Sequence, residues 1–361
     1  MNDNNYAIIM AGGIGSRFWP ISRTSHPKQF IDILGTGKTL IQQTYDRLLK
    51  ICPKENIYVV TNEIYTDLVR KQIPDMADGQ ILTEPVMRNT APCIAYGCFK
   101  IESINPNAAI VIAPSDHLIL DEAAFVATIE KSLTAATQHG CLVTLGIKPS
   151  RPDTGYGYIQ YTDKILNSEF HKVKTFTEKP TLEIAKTFIQ SGDFLWNAGI
   201  FVWSVKAILT AFKKYLPEID DIFEEAKPVY NTDDEKGYIH NAYQQCTNIS
   251  IDYGIMEKAD NVYVIPSEFG WSDLGTWASI YQLAEKDEAG NATIPAEKVV
   301  MYDSSNNMVS VPEGKLVIIK GLHDFIVVES NNTLMISPRS EEQGVKQIVA
   351  DVKQKFGTKF I

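Results

Sequence analysis

Through the first 146 residues, short β-branched runs alternate with segments of helical period, and no other feature of the chain limits its fold so sharply. The runs are Ile8-Ile-Met10, Ile57-Tyr-Val-Val60, Ile81-Leu82, Ile110-Val-Ile112 and Leu142-Val-Thr-Leu145. Between them, Leu40, Ile41, Tyr45, Leu48 and Leu49 share one helical face; Ile94, Tyr96 and Cys98 fall in a second helix and Phe125, Ile129 and Leu133 in a third. Strand and helix in alternation predict a parallel sheet covered on both faces. In open sheets of this kind, ligands lie beyond the carboxyl ends of the strands. The loops at 12–30 and 114–118 are therefore expected to share one edge.

After Pro152 the pattern changes. Tyr156-Gly-Tyr-Ile-Gln-Tyr161 and His171-Lys-Val-Lys-Thr-Phe-Thr177 alternate with period two, which predicts antiparallel strands joined to the main sheet, and Ile200-Phe-Val-Trp203 predicts one more strand, of unspecified direction. Beyond about residue 285, turns containing Gly and Asn separate short strands at Val299-Val-Met301, Leu316-Val-Ile-Ile319, Phe325-Ile-Val-Val328 and Leu334-Met-Ile336. A last helix carries Val345, Ile348, Val349 and Val352 on one face, which must pack on the first domain or on a second subunit, as in a homodimer. No tandem repeat of fixed period stands out. The expected organisation is an α/β domain with a mixed, mainly parallel sheet over residues 1–285. A small β-rich domain over 286–361 ends in a helix and serves assembly and stability rather than chemistry.

Composition removes several classes of function. Lys and Arg number 34 against 44 Asp and Glu, a net charge of −10, whereas binding nucleic acid needs a dense basic surface that releases counterions. The five cysteines (Cys52, Cys93, Cys98, Cys141, Cys246) are scattered, with no Cys-x-x-Cys and no His at ligand spacing, and read as reduced packing residues. The apolar run from Tyr6 is too short for a signal peptide, and no stretch approaches the ~20 residues of a membrane span. The expectation is a cytoplasmic protein without nucleic-acid or membrane partners.

Within this acidic chain, not one acid occurs from Asn4 to Ile31, while Arg17, Arg23 and Lys28 do. The first strand leads into Met10-Ala-Gly-Gly-Ile-Gly-Ser-Arg-Phe-Trp-Pro20, where three glycines let backbone N–H groups approach a phosphate chain and Arg17 and Lys28 supply charge. Two better-known phosphate motifs fail: the third glycine of a dinucleotide fingerprint begun at Gly13 falls on Phe18, and the first glycine of a phosphate loop ending Gly37-Lys38-Thr39 falls on Asp32. Asp116, in Pro114-Ser-Asp-His-Leu118, sits where a strand ends and is either a hard oxygen ligand for Mg²⁺ or a helix cap. Asp273, in Phe269-Gly-Trp-Ser-Asp-Leu-Gly-Thr-Trp277, faces the same choice. Phe176-Thr-Glu-Lys-Pro180 and Trp196-Asn-Ala-Gly-Ile200 bring Glu178 to accept from sugar hydroxyls, Lys179 for a phosphate, and Asn197 to donate and accept at once. Together these segments describe a site for two phosphorylated ligands.

The same segments, with Pro27-Lys-Gln-Phe30, Arg88-Asn-Thr-Ala-Pro92, Thr154-Gly-Tyr-Gly157 and Trp271-Ser-Asp-Leu-Gly275, resemble the mannose-1-phosphate guanylyltransferase family. The likeness runs in order from Ala7 to about Trp277, and the tail from Gly321 to Val352 is similar to the short members that lack a fused isomerase domain. The glycine motif and Phe-x-Glu-Lys-Pro belong to all sugar-nucleotide pyrophosphorylases; Phe18-Trp19, Pro27-Lys-Gln-Phe30 and Arg88-Asn-Thr-Ala-Pro92 narrow the likeness to the mannose branch. Met87, His26 and Thr177 depart from the usual family residues. The resemblance implies a Rossmann-like nucleotidyltransferase domain with a C-terminal piece of left-handed β-helix type. It implies GMP transfer from GTP to mannose 1-phosphate with Mg²⁺ or another divalent cation. On that likeness Ala11, Gly12, Gly13, Gly15, Ser16, Arg17, Lys28, Ser115 and Asp116 would hold the nucleotide, with Glu84, Pro85, Arg88, Asn89 and Thr90 toward the guanine. Asp116 and Asp273 would bind the metal, and Gly157, Glu178, Lys179 and Asn197 the sugar phosphate. Arg17, Lys28, Asp116, Lys179 and Asp273 would carry the catalysis.

Overall fold

The computed structural model describes residues 2–167, 169–294 and 298–361. By packing, the chain divides into two compact units: one of residues 1–12, 44–115 and 119–271, the other of 13–43, 116–118 and 272–361. This division differs from the linear boundary expected at 285, because the glycine-rich segment after the first strand packs with the C-terminal region.

The first unit is built on one nine-stranded sheet: β1 (Asn5–Ala11), β2 (Ile57–Asn62), β3 (Ile81–Glu84), β4 (Ala109–Pro114), β5 (Leu142–Ile147), β6 (Gly157–Asn167), β7 (Phe170–Glu178), β8 (Phe194–Ser204) and β9 (Val262–Ser267). Their order is β3-β2-β1-β4-β8-β5-β9-β7-β6, with β6 also paired to β8. The five runs read from sequence are all strands, and β3, β2, β1 and β4 lie side by side and parallel. The parallel series does not continue: β8 runs antiparallel between β4 and β5. The helix Leu182–Ser191 separates β8 from β7, the strand before it in the chain, and β8 pairs instead with β4, β5 and β6. The helix Thr90–Ile104 is buried over most of its length, which explains its apolar residues all round and its weak amphipathic signal.

In β1 and β4, Met10 stands opposite Pro114, and the Ser115 N–H donates to the Met10 carbonyl at 3.0 Å. The glycine segment and the Asp116 loop thus leave neighbouring parallel strands at the same end, as the topology rule requires.

In the second unit, β10 (Ala292–Ile294), β12 (Met308–Ser310) and β14 (Phe325–Ser330) stack in parallel, and β15 (Thr333–Pro338) closes the sheet antiparallel. A second parallel pair joins β11 (Val299–Tyr302) to β13 (Val317–Lys320). Buried asparagines mark the coil corner. The Asn291 Oδ1 accepts from Asn307, 16 residues on, and the Asn307 Oδ1 accepts from the Phe325 N–H, 18 residues on. The residue before each rung, Gly290, Asn306 and Asp324, has positive φ, a conformation that Gly, Asn and Asp tolerate best. This is a short parallel β-coil. Its core joins that of the glycine segment: Phe18, Trp19, Leu274, Trp277, Met308, Ile326 and Val345 form one buried cluster. Ile348, Val349 and Val352 pack against it, so the apolar face of the last helix (Val345–Phe356) is covered by its own chain. All five cysteines are buried and unpaired. Among the described residues, no helix is long and apolar enough to cross a membrane.

Candidate active site

In the second unit the glycine segment closes on Lys28. The backbone at Gly15 has φ +70°, and a Cβ there would lie 2.5 Å from the Lys28 Cβ, so only glycine fits. Gly13 is different: a Cβ there would meet nothing within 4 Å. Its lack of a side chain is not imposed by protein packing, and leaves room for a ligand to approach the backbone.

Lys28 is buried, and its Nζ reaches Asp116 Oδ2 at 2.8 Å and the carbonyls of Asp273 and Leu274 at 2.8 and 3.0 Å. An ammonium has three donors, and these three acceptors match them. Burial pushes the Asp116 carboxyl up, but Lys28 beside it, helped by His117, more than offsets this and holds it below the usual range. Neither aspartate caps a helix. Asp121 caps the helix Glu122–His139 and Thr276 the helix Trp277–Leu283. Asp273 instead accepts from the Gly275 N–H at 2.9 Å. Gly15, Ser16, Arg17, Lys28, Asp116, His117, Asp273 and Gly275 line one cavity of about 260 Å³. Glycine-loop amides, a guanidinium and two carboxylates facing one space suit a phosphate chain with its cation.

In the first unit, Glu84 ends β3 and is buried, with Oε1 lacking a hydrogen-bond partner. Burial pushes its carboxyl up to about 7, although the Tyr243 hydroxyl pulls the other way. A Cβ on Gly12 would stand 3.8 Å from Glu84 Oε2. Arg88, Asn89 and Thr90 all hold local structure. The Arg88 Nε donates to the Tyr243 carbonyl, Asn89 at φ +68° caps the helix Thr90–Ile104, and the Thr90 hydroxyl accepts from the Ile251 N–H. Met87 is exposed, Ala11 accepts from the Thr61 hydroxyl, and Ser115 is buried.

A further cluster in that unit gathers Gly157, Glu178 and Asn197. Gly157 pairs with Glu178, and a Cβ at Gly157 would collide with the Glu178 carboxylate. Lys179, with positive φ and an exposed side chain, pairs with Glu178. Asn197 lies inside β8 rather than in a turn, and its Oδ1 already accepts from the Gly199 N–H and the Thr144 hydroxyl. Its Nδ2 donates to Asp252 at 2.8 Å. Asn197 can therefore donate to a ligand but has little capacity left to accept. Sequence reading missed Asp252. It begins a π-helical turn (Asp252–Met256), and burial first, then Glu178 nearby, pushes its carboxyl up to about 6. Acid and glycine in Ser250-Ile-Asp-Tyr-Gly254 were its only sequence signal, and such local irregularities in helices cluster at functional sites.

A mixed, mainly parallel sheet whose first strand runs into a glycine-rich segment is the architecture of a nucleotidyltransferase. The chain belongs to the nucleotidyl transferase family, which matches residues 6–290; residues 297–352 match the mannose-phosphate isomerase/GMP-like β-helix domain. Mannose-1-phosphate guanylyltransferase 2 of Escherichia coli O157:H7 is 34% identical, over 98% of this chain and 75% of that protein. The alginate biosynthesis protein AlgA of Pseudomonas aeruginosa is 36% identical, over 96% of this chain and 71% of its own. Among solved structures, a mannose-1-phosphate geranyltransferase from Thermus thermophilus superposes with a TM-score of 0.88 at 27% identity, covering 97% of this chain and 99% of that one.

Proposed function

We propose that this chain transfers GMP from GTP to mannose 1-phosphate, releasing pyrophosphate. The observation that carries the reading is the cavity in which Gly15, Ser16 and Arg17 face Asp116 and Asp273, taken with relatives named as guanylyltransferases. A phosphate oxygen of mannose 1-phosphate attacks the α-phosphorus of GTP in line; the bond to the α–β bridging oxygen breaks, and its electrons leave with pyrophosphate. No covalent enzyme intermediate is needed, so positioning and charge neutralisation supply the acceleration.

Arg17 and the loop amides would hold the nucleotide phosphates, while Lys28 fixes Asp116 and the 273–274 backbone in place. The donor set fits Mg²⁺: two hard oxygen ligands line one cavity, and the rest of the shell would come from phosphate and water. When bound, the ion neutralises phosphate oxygens as charge moves to the leaving group. Among the described residues, no group of three or more His, Cys, Asp or Glu could hold a metal without such help. The unpartnered acceptor of Glu84 suits the N–H edge of guanine, with Pro85, Arg88, Asn89 and Thr90 framing that end. Glu178, Lys179, Asn197 and Gly157 would take the sugar phosphate. Residues 1–285 would form the transferase module and 286–361 the β-coil module, a division supported by family matches that end at 290 and begin at 297.

The test is a turnover assay with GTP, mannose 1-phosphate and Mg²⁺, following pyrophosphate and GDP-mannose, beside a panel of other triphosphates and sugar phosphates. Preference for another sugar or base overturns the substrate assignment. Binding of GTP without turnover by any pair points to a regulatory homologue.

A further inference from the structure

We propose that Glu342 and Gln343, adjacent residues of the C-terminal module, are positioning residues for the phosphate cavity: Glu342 holds the loop that carries Asp273, and Gln343 holds the Arg17 guanidinium. The proposal rests on the reading that this cavity takes nucleotide phosphates. It gives the region after 285 a part in the reaction that its sequence does not announce.

The cavity is built from segments far apart in the chain, with Arg17 on one and Asp273 on another. Lys28 ties Asp116 to the carbonyls of Asp273 and Leu274, but Arg17 is outside that set. The half-buried Arg17 donates from Nε to Gln343 Oε1 at 3.1 Å, and its guanidinium makes no other hydrogen bond among the described residues. Nε lies in the guanidinium plane, so an acceptor there sets the tilt of the plane and leaves both terminal nitrogens for phosphate oxygens.

One residue earlier, Glu342 Oε2 accepts from the Ala278 N–H at 2.8 Å, and the Thr276 hydroxyl bonds to the same side chain. Thr276 caps the helix Trp277–Leu283 and stands three residues after Asp273. Burial pushes the Glu342 carboxyl up, while these two bonds and the charges of Arg17 and Arg339 pull the other way. The two ties thus meet at one point. Their mount is the turn Arg339–Gly344, which is itself fastened to the β-coil. The Arg339 N–H donates to the Asp324 carbonyl at 2.8 Å and its Nη1 to the Asn306 carbonyl at 3.0 Å, and these are two of the coil's corner residues. At the other end of the turn, Val345 is fully buried in the cluster that holds Phe18 and Trp277. A reaction accelerated by positioning needs such a rigid support behind its ligand-facing groups.

The test compares the full-length chain with Gln343→Ala, Glu342→Ala, Glu342→Gln, Arg17→Ala and Asp273→Asn, and with the double variants Arg17→Ala/Gln343→Ala and Asp273→Asn/Glu342→Ala. The readouts are turnover in both directions, calorimetric binding of GTP with Mg²⁺, and thermal melts. Gln343 is exposed, so its truncation should leave Tm unchanged while weakening GTP binding and raising KM for GTP and for pyrophosphate about fivefold to tenfold, with KM for mannose 1-phosphate unchanged. In the Arg17→Ala background the same truncation should not weaken GTP binding further, because a residue that acts through another loses its effect when that other is gone. Glu342→Ala should lower kcat about tenfold and add little to Asp273→Asn, and Glu342→Gln, which keeps an acceptor for the Ala278 N–H, should recover most of the loss. Unchanged GTP constants in Gln343→Ala would overturn the proposal, as would effects that simply multiply in the double variants. A loss in Glu342→Ala that comes with a lower Tm and is not recovered by Glu342→Gln marks a purely structural role and overturns it too. If the unaltered chain binds no GTP, the reading of the cavity fails and the proposal falls with it; if it binds and turns over GTP while the double variants multiply, the proposal alone is refuted.

Discussion

Glu84→Gln should reveal what a buried acid without a full set of partners costs this fold. The carboxyl is buried, one oxygen has no hydrogen-bond partner, and its pKa is pushed up to about 7 from an ordinary 4.5. As pH rises through 4.5 the unfolded chain releases this proton, while the folded protein keeps it until about 7. Between those values the unfolded state binds fewer protons, so stability from this group is present below pH 4.5 and lost as pH rises through 7. A gap of this size at about 1.4 kcal/mol per pH unit corresponds to about 3 kcal/mol. Glutamine cannot ionise and lacks the loss. Urea unfolding of both proteins without nucleotide, at pH 5, 6, 7 and 8, gives the difference in stability at each pH, and contributions from other titrating groups cancel in it. The variant should gain on the parent by up to about 3 kcal/mol between pH 5 and 8, and bind GTP more weakly. A stability difference that stays constant across that range would refute the reasoning.

Three further outcomes follow from the geometry. Gly15→Ala should lower Tm, because φ +70° and the Lys28 side chain both exclude a Cβ, whereas Gly13→Ala should fold normally and raise KM for GTP; thermal melts and kinetics on the pair separate the two glycines. Asp116→Asn and Asp273→Asn should each reduce kcat about 10²-fold or more while the protein remains folded, as checked by circular dichroism and turnover; near-normal turnover in either would remove it from the site. Asp252→Ala should free the Asn197 amide and raise KM for mannose 1-phosphate several-fold with KM for GTP unchanged, and a shift in GTP instead would assign this cluster to the nucleotide.

What could be read before folding was whatever is local in sequence. The five strand runs, the acid-free glycine segment and the two aspartates each announce themselves within a few neighbours. The antiparallel entry of β8 between β4 and β5 did not, because a strand's apolar run carries no information about its partner's direction. The β-coil was reached through the family resemblance and not through any visible repeat, for a related reason. Its rungs are three to six residues long, and the repeat lives in single corner residues: Gly290, Asn306 and Asp324, each followed by a ladder position held by Asn291, Asn307 or Phe325. At the third rung Phe325 supplies only a backbone donor, so the asparagine pattern stops after two occurrences and no period shows. Asp252 was hidden in an unremarked Ser-Ile-Asp-Tyr, since what distinguishes it is burial against Asn197, 55 residues away. The Arg17–Gln343 bond spans 326 residues, and nothing near either residue predicts it.

Lys28 shows why residue type alone does not settle a role. In an acid-free loop beside three glycines, a lysine reads as a phosphate ligand. Once folded, its three donors meet a carboxylate and two carbonyls, and the loop that carries Asp273 is fastened to the loop that carries Asp116. For this ammonium to bind phosphate it would first have to abandon an acceptor, and a buried acceptor left unpaired costs roughly 1–3 kcal/mol. Its greater value is geometric: catalysis by positioning tolerates errors of only a fraction of an ångström, and a buried ion pair fixes both acids before any ligand arrives.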